Sequence, residues 1–327
     1  MQKANTNVHC FLMVLIALLC LVPAAVATEN GGSIYPVGAD SIAIASAQPH
    51  PGQTLIYEYT CFYEANELDD AKGHSMKPLL SDFHVRVFAV AIKLSHNWGV
   101  KFLGGNVGSW IAVPTTYEQL HTPAGKYTKD TIGNINLVPF SVTNHKGIVH
   151  WLYELQVPVA ASGYDKGSVL NIGQHNIGFD PGFAITVTPH HGKQEVGSRF
   201  DYVINNVDHA THYHSGNEFF WQFDAIQEIP HSKVGVGFVG YYYQQVTNDT
   251  QHGQTVVSTN ADGTQSVGYK GRVVDLGGQV TLPIGKHGGM AFKWDHDTLV
   301  QNKARGNAFW FQLGVPFTYL HHPANHQ

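Results

Sequence analysis

Period-two alternation of side-chain character is the feature of this sequence that most narrows its fold. Phe309, Phe311, Leu313, Val315 and Phe317 stand at every second position near the C-terminus. Leu55, Tyr57, Tyr59, Cys61 and Tyr63 alternate with Thr54, Ile56, Glu58, Thr60 and Phe62, and Val85, Val87, Ala89 and Ala91 alternate with Arg86, Phe88, Val90 and Ile92. Similar runs follow around Trp151, Tyr202, Trp221 and Phe292. Successive side chains of a strand point to opposite faces, so each run has one apolar face and one mixed or polar face. Twelve runs emerge, near 53–66, 78–96, 100–114, 132–145, 147–159, 178–190, 192–207, 215–228, 234–247, 269–282, 288–299 and 307–317. Turn clusters separate them at 69–73, 144–147, 189–193, 228–233 and 283–289, with longer polar stretches at 121–130, 164–176 and 248–268.

Composition decides what such strands face. Charged residues make up 13% of the chain against about 25% in typical soluble domains. Aromatics reach 12%, and glycine is abundant at 34 residues. A soluble sandwich carries charge on its outward faces. A barrel wall bathed in lipid does not, and an even number of strands with short turns at one end suits closure. The expected fold is all-β, a transmembrane antiparallel up-and-down β-barrel of about 12 strands.

The N-terminus has the order of a secretory signal: Lys3, an apolar run from Cys10 to Val22, then Pro23 and the small residues Ala25, Val26 and Ala27. The run is shorter than the roughly 20 residues a membrane helix needs. Leu19 before Cys20 is too bulky for a lipoprotein site. The expected division is a signal peptide at 1–27, a periplasmic or plug-like segment at 28–52, the barrel at 53–317 and a tail at 318–327. Cys61 would then be the single cysteine, leaving no internal disulfide. Without Lys3 there remain 18 basic against 24 acidic residues, which argues against a nucleic-acid partner.

Several groups could carry chemistry. Glu58, Arg86, Glu154, Arg199, Asp201, Glu218 and Asp224 fall on the less apolar phase of their runs and are the candidates for lining a lumen. Phe62, Phe88, Phe220 and Trp310 share that phase and could stack on an aromatic solute. The alternative is a plugged interior of paired charges, since unpaired buried charge is costly. His209, His212 and His214 are a weak metal-site candidate within a His-rich chain, and no cofactor is expected. No G-x-S-x-G elbow occurs, so a lipid hydrolase would need a triad of distant residues.

A resemblance adds to this reading. Residues 29–33, Tyr35, Pro36, Val37 and Gly38, then Pro49, His50, Pro51 and Gly52, then Tyr57, Glu58 and Tyr59 are similar to the opening of a bacterial family named for the meta-pathway of phenol degradation. The runs 155–158, 162–165, 209–216, 240–249 and 302–306 resemble further pieces of it, in order. That family is regarded as one of transporters. The resemblance implies a protein of the cell outer membrane that passes small hydrophobic or aromatic compounds by passive diffusion, without catalysis. Its partners would be that solute, outer-membrane lipid and the barrel assembly machinery. A lipid hydrolase and a plugged barrel for surface interaction are the alternatives.

A closed barrel resists detergent at room temperature. The refolded protein is therefore expected to migrate faster on a gel unheated than boiled; identical mobilities would rule the barrel out.

Overall fold

The computed structural model describes residues 33, 37–40, 45–161, 163–285 and 288–317. Residues 1–27 and 318–327, expected as signal peptide and tail, lie outside them. All twelve expected strands are present: β1 (Thr54–Leu68), β2 (His84–Phe102), β3 (Gly105–Thr122), β4 in two halves (Gly125–Ile132 and Ile135–Lys146), β5 (Val149–Val159), β6 (Gly178–Val187), β7 (Gln194–Asn205), β8 (Glu218–Glu228), β9 (Gly235–Gln245), β10 (Arg272–Ile284), β11 (Gly288–Gln301) and β12 (Ala304–Pro316). Each pairs antiparallel with its neighbours in sequence. β1 pairs with β12 from Leu55↔Pro316 to Leu68↔Ala304, which closes the ring.

One end of the barrel has short turns and the other long loops. Leu103 (φ 49°) and Gly104 (φ 79°) join β2 to β3 as a two-residue hairpin, whose positive φ at both positions matches the strand twist. The start of β1 and the end of β12 lie at that same short-turn end. At the far end, residues 69–83, 163–177, 206–217 and 246–271 form the large loops. Short ribbons, such as Val257–Thr259 paired with Gln265–Val267, stiffen the longest.

The polar stretch 121–130 is not a loop. It lies in a hairpin of β3 with Gly125–Ile132, in register from Thr115↔Ile132 to Thr122↔Gly125. The hairpin outruns the apolar belt, so both its faces carry polar side chains and no hydrophobic alternation marks it. Strand β2 correspondingly runs 84–102 rather than 78–96.

The outer wall explains the sparse charge. Phe88, Ile92, Tyr153, Phe179, Trp221, Phe238, Phe292 and Trp294 all project outward and are exposed. Phe292 meets Phe311 across the β11–β12 ladder, with ring centroids 5.1 Å apart. So continuous an apolar surface belongs against lipid, where every backbone donor must be met inside the ring. Phe292→Arg should lower the unfolding free energy in phospholipid vesicles by about 2–4 kcal/mol, against about 1 kcal/mol for Phe292→Leu. Denaturant titration checks this; equal effects would put Phe292 out of lipid.

Candidate functional site

The interior is crossed by the segment before β1. Gly38 N donates to Gln222 Oε1 (3.1 Å) and its carbonyl accepts from Lys293 Nζ. The Ala39 carbonyl accepts from Gln312 Nε2 (2.7 Å), and Ala45 N donates to Thr186 Oγ1 (3.0 Å). Ser46 Oγ donates to Glu195 Oε2 (2.8 Å), and the Pro49 carbonyl accepts from Asn97 Nδ2 (2.9 Å) near the short-turn end. These partners belong to β2, β6, β7, β8, β11 and β12, so the segment is tied to walls around the ring. Val37 packs on the cluster of Val203, Phe220, Tyr243, Val273 and Val300.

Beneath this strap lies a buried ion cluster. Arg199 donates from Nε and Nη2 to Asp201 (2.7–3.0 Å) and sits 2.7 Å from Glu154 Oε1 and 3.7 Å from Asp40 Oδ2. Trp110 Nε1 donates to Glu154 Oε2 at 2.9 Å. The chain makes room with Gly182, where a Cβ would lie 2.6 Å from Asp201 Oδ1 and 2.9 Å from Arg199 Nη2. Farther round, Lys293 pairs with Asp295 (3.0 Å), and Asp297 accepts from the Tyr63 and Tyr241 hydroxyls (3.1 and 3.0 Å).

Two cavities flank the strap. The outer one, about 940 Å³, reaches the long loops through Leu170, Gln251 and Tyr269, and its wall is rich in Val85, Val87, Ala89, Ala91 and Ala112. The inner one, about 520 Å³, opens among the short turns near Lys193, Lys233 and Pro283. Asp40, Tyr59 and Lys93 border both. The long loops at the outer mouth are tied together. Asp70 accepts from Ala261 N (2.9 Å), His74 N (2.8 Å) and Lys72 N (2.8 Å), and Lys72 reaches Asp262 at 2.8 Å. Burial pushes the Asp70 carboxyl up, but these three donors outweigh it and hold it below the usual carboxylate range.

The expected lumen residues divide. Glu154, Arg199, Asp201, Glu218 and Asp224 point inward and are buried. Glu218 accepts from Asn205 Nδ2 (2.9 Å), and Asp224 lies against Gly197, where a Cβ would come within 2.1 Å of its Oδ1. Glu58 and Arg86 point the other way. Tyr59, Cys61 and Tyr63 of β1 and Val85 and Val87 of β2 line the outer cavity, so the alternate positions face outward. Glu58 stands in register with exposed Ile92. Arg86 forks onto Glu64, in register beside it, at 2.8–2.9 Å. Phe62 and Phe88 are outward for the same reason, while Phe220 is buried inside and Trp310 lines the outer cavity. The lumen wall here is tyrosine, alanine and valine, so polarity marks the wrong face. His209, His212 and His214 do not converge: His214 Nε2 donates to the Asn205 carbonyl (2.9 Å), and His212 packs on His252 with ring centroids 5.0 Å apart.

Sequence reasoning passed over Asp40, Lys93 and Trp110. Lys93 carried a signal: it continues the phase of Val87, Ala89 and Ala91, a charge at the end of a run of small residues.

The family described as "Putative MetA-pathway of phenol degradation" matches residues 65–313, about three quarters of the chain. The chain belongs to that family. Lys93, Trp110 and Arg199 lie inside the matched phenol-degradation region, while Asp40 and Tyr59 precede it. No curated protein matches the sequence. Among solved structures, the COG4313 outer membrane channel from Pseudomonas putida F1 is similar at 11% identity and a TM-score of 0.68, over 87% of this chain and 100% of that one. The likeness shows a shared fold. The β domain of the Bordetella autotransporter BrkA (9% identity, 82% of this chain and 100% of that one) is more distant, with a TM-score of 0.44.

Removing one member of a buried ion cluster strands the others. Arg199→Met should destabilise the barrel by about 3–5 kcal/mol, and Asp201→Asn added to it should recover part of the loss. Denaturant unfolding of the two variants reads this; a neutral Arg199→Met would mean that the cluster is not structural.

Proposed function

We propose that this protein is an outer-membrane channel for small hydrophobic or aromatic compounds, which cross it by passive diffusion. The observation that carries the proposal is the pair of cavities inside one closed ring, one opening toward each end and both bordered by Asp40, Tyr59 and Lys93. The valine, alanine and aromatic lining of the outer cavity suits an apolar solute, and the inner cavity opens among polar side chains. Family membership supports the same reading. In this view residues 28–52 act as a plug-like strap that narrows the lumen, and Glu154, Arg199, Asp201, Glu218 and Asp224 shape its field by holding the wall and strap in place. The channel needs no catalysis and no cofactor.

One observation favours a second reading, a plugged barrel: six hydrogen bonds at five residues tie the strap to the wall, which is a firm attachment for a gate. Solute flux in liposomes separates the two. The refolded protein should let small aromatic solutes into vesicles, and removal of residues 28–47 should raise single-channel conductance. Zero flux and zero conductance for every solute, with and without the strap, would overturn the channel.

A further inference from the structure

We infer that Lys93 is the anchor of a binding site for aromatic carboxylates at the junction of the two cavities. The inference rests on reading the lumen as a solute path and names the solute class for it.

Two other interior cations near the strap are answered. Arg199 has Asp201, Glu154 and Asp40, and Lys293 has Asp295 and the Gly38 carbonyl. Lys93 has no carboxylate within ion-pair distance among the described residues. Its ammonium lies 4.0 Å from the centroid of the Trp110 ring and 5.7 Å from that of Tyr57. Aromatic faces stabilise a cation, but they accept no strong hydrogen bond, and an ammonium has three donors. The site is built to hold this geometry. The Trp110 indole is pinned by its bond to Glu154, which Arg199 in turn holds. Asp40, the acidic neighbour at the junction, is turned to Arg199.

An incoming anion would therefore find an unanswered, partly desolvated cation with aromatic surface beside it. A carboxylate supplies the charge-assisted acceptor that Lys93 lacks. An attached aromatic ring can lie on Tyr59 and the apolar wall of the outer cavity. A cationic solute would be repelled, and a neutral one would leave the charge unmet.

Binding is measured on the full-length refolded protein in detergent micelles by 19F NMR, with 4-fluorobenzoate as probe and empty micelles as blank. Wild-type protein should bind 4-fluorobenzoate saturably, and about tenfold or more tighter than neutral 4-fluorobenzyl alcohol. Lys93→Met should weaken benzoate binding by about tenfold without changing the alcohol, and Lys93→Arg should restore most of it. Equal wild-type affinity for the two probes would overturn the inference, and needs no variant. Benzoate binding unchanged in a Lys93→Met barrel of normal heat-modifiable migration would also overturn it. Flux is measured separately: Lys93-dependent binding without permeation removes the channel and leaves this site, and permeation without Lys93-dependent binding does the reverse.

Discussion

The ladder between β1 and β12 is the contact on which everything else in this molecule depends. An open sheet in lipid would leave two rows of backbone donors and acceptors unmet, at several kcal/mol for each group. Thirteen residues of β12 meet β1 along almost its whole length, with one register shift between Ala65 and Glu67. Closure also separates two environments. Outside, Phe88, Trp221 and Phe292 meet lipid; inside, Arg199, Asp201 and Glu154 sit in a space small enough for them to touch.

That confinement makes the interior polar without making it wet throughout. Glu154, Arg199 and Asp201 are placed by strands of the ring and Asp40 by the strap, and small residues such as Gly182 and Gly197 open the wall where a carboxylate must approach. The strap uses the same groups. Its backbone amides and carbonyls near Gly38 and Ala39 take side-chain partners from the wall in place of a neighbouring strand. The lumen is thereby filled over part of its cross-section and divided into two cavities that meet at Asp40, Tyr59 and Lys93.

The interior has two chemistries, and they divide the ring. From β5 to β8 the lumen face is acidic and amide-rich, with Glu154, Gln156, Asp180, Asp201 and Gln222. On β1 to β3 it is tyrosine, alanine and valine, interrupted by Lys93 and Trp110. An aromatic and aliphatic wall thus stands in the same ring as a polar one.

How much of this was legible in the sequence follows from the same division. The period-two runs, the low charge and the turn clusters determined a twelve-stranded barrel, because a lipid-facing wall constrains every second residue of every strand. On β5 to β8 the rule that the polar face looks inward held, and Glu154, Arg199, Asp201, Glu218 and Asp224 could be assigned to the interior from polarity alone. On β1 and β2 the rule failed. Glu58 and Arg86 are outward, where Glu58 accepts from the Thr60 hydroxyl and Arg86 is answered by Glu64, while the inward face is apolar. Polarity along one strand cannot reveal this; it is decided by cross-strand pairing, which joins residues far apart in the chain. The strap is a stronger case. Nothing local marks Asp40 or Lys93 as neighbours of one junction, since Asp40 reaches it by threading the ring and Lys93 by standing in its wall. The sequence by itself determined the barrel and the sign of half its lining. Only the closed ring, by bringing distant strands and the N-terminal segment into one confined volume, decided which faces look inward and where the lumen narrows.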